Sequence, residues 1–149
     1  MAIKYFSSLT PEETDQLMHA PAIVTVLIAG ADENIDRKEK GWAERLIHYR
    51  TFTSDPKLHD YYVEVNETFV DQLESLIASW KPQETEAQLT AKLSVLKDVL
   101  AKLDPEFADL LKNSWRSMAK KVAEASGGLV GFSRVHKREA ALIDLPMLD

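Results

Sequence analysis

The chain contains no cysteine. Disulfides, thiolate zinc centres and cysteine nucleophiles are therefore excluded. It also lacks a long apolar run. The longest, residues 20–31, is interrupted by Pro21, Thr25 and Gly30 and falls short of the roughly 20 apolar residues that span a bilayer. The first residues, MAIKYFSSLTPEE, hold no apolar core of the kind a secretory signal carries. Positive charge is in deficit: 18 Lys and Arg stand against 24 Asp and Glu, a net charge of -6. A protein that neutralises nucleic-acid phosphates carries the opposite balance. The expectation is a soluble, cytoplasmic protein that does not bind nucleic acid.

Catalytic signatures are missing too. His19, His48, His59 and His136 are scattered, and none forms the i, i+4 pair with a glutamate that marks a helical zinc hydrolase. No G-x-S-x-G elbow or serine–lysine motif accompanies the serines, and no nucleophile–base pair is legible. A non-enzymatic protein is expected.

What is present is helical pattern, in a length of 149 residues that suits one domain spanning residues 1–149. Thr10-Pro11-Glu12-Glu13 combines an N-cap, a proline at the first helical position and a capping-box glutamate. Pro21 is expected to break or restart that first helix. The following AIVTVLIAGA is apolar nearly all round, which describes a buried central helix. Asp36-Arg37-Lys38-Glu39 opens another helix as a second capping box, and Asp55-Pro56 opens the next. Over residues 56–80, Leu58, Tyr62, Val65, Phe69, Leu73, Leu76 and Trp80 step by three and four. Leu89, Leu93, Leu96, Leu100 and Leu103 form a further stripe. Asp104-Pro105 starts a helix carrying Phe107, Leu111, Trp115, Met118 and Val122, with Gly127-Gly128 as its stop. A last short helix is expected from about Lys137 to near Pro146. The fold expected is all-α, a bundle of about six or seven helices.

The chain also repeats itself. Ala29-Gly-Ala31-Asp32 matches Ala123-Glu-Ala125-Ser126, and Ile35-Asp36-Arg37-Lys38-Glu39 matches Val135-His136-Lys137-Arg138-Glu139. The repeat units cover residues 22–47 and 118–145. Packed about a pseudo-twofold axis, they would put Glu39 and Glu139 in equivalent places. The pattern A-x-A-D-x-x-I-D-x-x-E, followed by A-x-A-S-G-G-x-x-G-F-x-x-V-x-x-x-E, resembles the TerB-like (tellurite resistance protein B-like) family. The resemblance is concentrated in the two repeat units. It implies an all-helical domain with two similar halves, an association with tellurite and other stress responses, and divalent-cation binding by acidic residues. The chain departs from the pattern at Glu33, where the family usually has Gly, and at Ser126, which replaces the second Asp.

Two readings of the acidic turn follow. In one, Asp32, Asp36 and Glu39, with Glu139 from the second unit, converge on calcium, magnesium or manganese, hard cations that need several oxygens. An EF-hand is rejected, because the first half of its loop is missing: upstream of Asp32 stand Leu27 and Ile28, with Ala29 to Ala31 between. In the other, Asp36 and Glu39 only cap a helix, Asp32 caps a turn, and the protein is a helical interaction module with no metal site. The glycine-rich turn of residues 127–139 could cradle an anion or tuck Leu129, Val130 and Phe132 onto the bundle. Were those three exposed, they would form a patch for a protein partner or a membrane surface.

Overall fold

A computed structural model describes residues 4–31, 55–79, 81, 84–123 and 145–149. Among them the secondary structure is entirely helical. The described residues form four α-helices: α1 (Pro11–Ala31), α2 (His59–Ala78), α3 (Glu84–Leu100) and α4 (Pro105–Ala123). Single 3-10 turns occur at Lys4–Phe6, Pro56–Leu58 and Pro146–Leu148. The helices expected over residues 36–50 and from Lys137 lie outside the described residues.

Local chemistry accounts for the helix starts. The Thr10 hydroxyl accepts from the Glu13 backbone N–H at 3.1 Å, and the Glu13 carboxylate accepts from the Thr10 N–H at 3.0 Å, a completed capping box. The Asp55 carboxylate accepts from the Lys57 N–H at 2.9 Å, and Asp104 accepts from Phe107 N–H at 3.3 Å. Pro11, Pro56, Pro105 and Pro146 each occupy the first position of a helical segment, where the missing N–H costs nothing.

Pro21 departs from that pattern and corrects the expectation of a break. Residues 11–31 form one helix with Pro21 in its interior, so two of the expected helices are one. An internal proline cannot donate to the carbonyl four residues back and costs about 3 kcal/mol. The carbonyl affected is that of Leu17. It is not left bare, because the Tyr61 hydroxyl of α2 donates to it at 2.7 Å. Burial supplies the second reason. Every position from 20 to 28 is buried, and opening the helix there would expose backbone groups in the middle of the core. Thr25, inside the same stretch, satisfies its hydroxyl by donating to the Pro21 carbonyl at 2.8 Å.

Helix α1 is thus the axis of the described core, as its all-round apolar sequence predicts. Helices α2, α3 and α4 each lie against it, and α1 shares in the most extensive packing between described helices. The stripes read from the sequence face inward: Tyr62, Val65, Phe69 and Leu73 on α2, Leu89, Leu93, Leu96 and Leu100 on α3, and Phe107, Leu111, Trp115, Met118 and Val122 on α4 are all buried. The N-terminal turn closes one end, where Tyr5 stacks on Phe107 at 4.2 Å between ring centroids and Phe6 packs edge-on to Tyr61 and Phe107. The last residues pack against α3. Leu145 adopts a left-handed backbone (φ 46°), and Leu145 and Leu148 are buried. Asp149 is held by Arg116 at 2.6 Å and, through its carbonyl, by Lys97 at 3.0 Å.

Candidate binding groove

Asp32, Asp36, Glu39 and Glu139, the proposed cation ligands, lie outside the described residues, as do residues 127–139 with His136. Among the described residues, no three His, Asp or Glu side chains are grouped so as to hold a metal ion. Two other features of the described structure remain as chemical candidates.

The first is a buried polar cluster between α2 and α4. Trp115 Nε1 donates to the Tyr61 hydroxyl at 3.2 Å, which in turn donates to Leu17. The Tyr62 hydroxyl pairs with Ser114 Oγ and lies 4.0 Å from the Met118 sulfur. Burial raises the Tyr61 phenol well above its ordinary pKa, and the adjacent Tyr62 adds to the effect. A phenol held neutral, with its donor and acceptor capacity committed, is neither a base nor a nucleophile at neutral pH. This cluster is a fastening. It ties α2 and α4 to the proline-interrupted turn of α1, and the Thr25, Thr85 and Ser114 side chains, the buried polar residues of the core, are hydrogen-bonded in the same way.

The second is a groove of about 860 Å³ bounded by α1, α2 and α3. It follows from the arrangement of the helices. Because α2 and α3 lean on α1 more than on each other, a channel opens between them with α1 at its base. Met18 and Ile23 from α1, Leu76 from α2 and Val95 from α3 give it an apolar lining. Val95 is the one large apolar side chain that is exposed among the described residues, at 49%. Around this lining stand Glu12 and Asp15 from α1 and Glu64, Glu67 and Asp71 from α2, with Lys92 the only Lys or Arg among the described residues. His19 is also at the groove; its Nδ1 is 2.7 Å from the Asp15 carbonyl and 3.6 Å from the Asp15 carboxylate. Gln72 donates through Nε2 to Thr68 Oγ1 at 2.8 Å, and its Oε1 is buried without a partner among the described residues.

None of these groove residues except His19 attracts notice in the sequence as a site. A signal is nonetheless there. Glu64, Glu67 and Asp71 recur at three- and four-residue steps, and Val95 interrupts the polar side of a helix whose leucines follow another stripe. That the two features share one channel depends on how α2 and α3 are set around α1.

No protein-family model matches the chain, and neither a curated protein nor a solved structure is significantly similar to it. The likeness to TerB-like proteins thus rests on the two sequence motifs.

Proposed function

We propose that this chain is a non-catalytic helical interaction module that engages a protein partner through the groove between α1, α2 and α3. The observation that carries this reading is Val95. A large apolar side chain half exposed beside Ile23, Met18 and Leu76, in a channel rimmed by charge, has the composition of an interface: an apolar centre with a polar border. The test is to place a photo-crosslinking residue at position 95, identify the adduct, and reconstitute binding with the purified partner. Binding that survives Val95→Asp, in a variant that melts like the wild type, would refute the reading.

A second reading is favoured by the acidic turn. Asp32, Asp36 and Glu39, with Glu139, form a weak divalent-cation site in a stress-associated, TerB-like domain. Its support is the spacing of the acidic residues and the resemblance of the two repeat units. Millimolar calcium, magnesium or manganese should then raise the melting temperature, and Asp32→Asn or Glu39→Gln should abolish the rise. The absence of any cation-dependent shift, together with no heat of binding by calorimetry, would eliminate this site.

A further inference from the structure

We infer that the groove receives a Lys/Arg-rich amphipathic helix of a partner protein, its apolar face on Ile23, Leu76 and Val95 and its cations against Glu12, Glu67 and Asp71. This rests on the reading of the groove as a partner site and specifies the chemistry of the partner.

Charge is the first argument. Among the described residues, five carboxylates and one ammonium surround the groove, whereas the whole chain carries 18 basic residues against 24 acidic ones. On α2, Glu67 and Asp71 are one turn apart on the same face, with Glu64 one turn before them. Like charges at that spacing cost a few tenths of a kcal/mol per pair. Neither Glu67 nor Asp71 has a cationic partner among the described residues. Among the described residues no ion pair offsets the repulsion between Glu67 and Asp71, and a cationic ligand would relieve it.

The second argument concerns the backbone of the occupant. All walls of the groove are α-helices, whose N–H and C=O groups are engaged in their own ladders. An extended peptide would find no sheet edge to pair with and would bring unsatisfied amides to an apolar floor. A helix satisfies its own backbone and presents apolar anchors at i, i+3, i+4 and i+7. The apolar lining excludes a purely electrostatic occupant such as a polyamine as the best fit, because Val95 and Leu76 would stay in water.

The test uses the full chain and three labelled peptides of about 18 residues, long enough for several helical turns. One is a Leu/Lys helix with a single apolar face. The second is a scramble of the same composition without that face. The third carries Glu in place of Lys. Binding is read by fluorescence anisotropy at about 0.15 M salt, where screening suppresses distant charge effects. The Leu/Lys helix should bind at least tenfold more tightly than either control. Glu67→Lys with Asp71→Lys should weaken it at least tenfold, the neutral pair Glu67→Gln with Asp71→Asn by less, and Val95→Asp should weaken it at least tenfold. Equal binding of the scramble or of the acidic peptide would overturn the inference, while the groove reading would stand if that binding still depended on Val95. Peptide binding untouched by any of these variants would overturn both. Self-association of the chain that is lost in Val95→Asp would put a second copy in the groove and overturn the basic helix. No binding of any peptide at about 100 μM would also overturn it, leaving the groove to the crosslinking test at position 95.

Discussion

Replacing Tyr61 by Phe should be far more damaging than the loss of one oxygen atom suggests, and the damage should depend on Pro21. The ring stays, so packing volume is conserved. The hydroxyl, however, serves two buried partners: it donates to Leu17 O at 2.7 Å and accepts from Trp115 Nε1 at 3.2 Å. Leaving a buried polar group unsatisfied costs about 1–3 kcal/mol. With two such groups and partial relaxation, Tyr61→Phe should cost about 3 kcal/mol. That is a large share of the roughly 5–15 kcal/mol typical of a folded domain, and it corresponds to a drop in Tm of about 6–12 °C for a chain of this size. In a Pro21→Ala background the new N–H at position 21 can take the Leu17 carbonyl itself. Only Trp115 then loses its partner, and Tyr61→Phe should cost about 1–2 kcal/mol there. Urea unfolding of the four proteins, followed by far-UV circular dichroism and tryptophan fluorescence, measures the coupling directly. A cost below about 0.5 kcal/mol for Tyr61→Phe, or the same cost in both backgrounds, would refute the account of how the helix passes through Pro21.

Further outcomes follow from the same geometry. Tyr61 is protonated well beyond its ordinary range in the folded protein, so its contribution is complete below the unfolded phenol pKa of about 10 and declines as pH rises above it; unfolding free energies between neutral and strongly alkaline pH should fall, and fall less steeply in Tyr61→Phe. At the acid end, hydrogen bonding to Lys102 lowers the Glu13 pKa and hydrogen bonding to Arg116 lowers that of Asp149. Their stabilisation is present above the ordinary carboxylate range and is lost as pH falls through the lowered values. Acid titrations of stability should therefore be shallower in a Glu13→Gln, Asp149→Asn double variant. Thr10→Ala removes the hydroxyl half of the capping box at the start of α1 and should cost about 1 kcal/mol by chemical denaturation, with Thr10→Ser recovering most of it.

The readable parts of this fold are those whose cause lies within a turn or two of chain. The Thr10–Glu13 box, the Asp55 and Asp104 caps and the leucine stripe of α3 all depend on partners three or four residues apart. The all-round apolar stretch after Pro21 announces a helix with no free face, and it is indeed the axis of the described core. The candidate site was less legible. The acidic turn at Asp32, Asp36 and Glu39 stands out in the sequence because its carboxylates are neighbours in the chain. The groove carboxylates do not stand out, since Glu12 and Asp15 are separated from Glu67 and Asp71 by more than one helix length.

Composition, caps and periodicity by themselves determined the all-helical character of the described residues, the identity of their central helix and the inward faces of the other three described helices, because each of these is decided by a residue and its near neighbours. Tertiary structure alone decided that α1 runs unbroken through Pro21. The donor that replaces the missing N–H comes from Tyr61, 44 residues away from Leu17, and nothing local to the proline encodes it. It also decided that Val95 stays in water while the leucines around it do not, since that follows from the gap left where α2 and α3 both pack on α1.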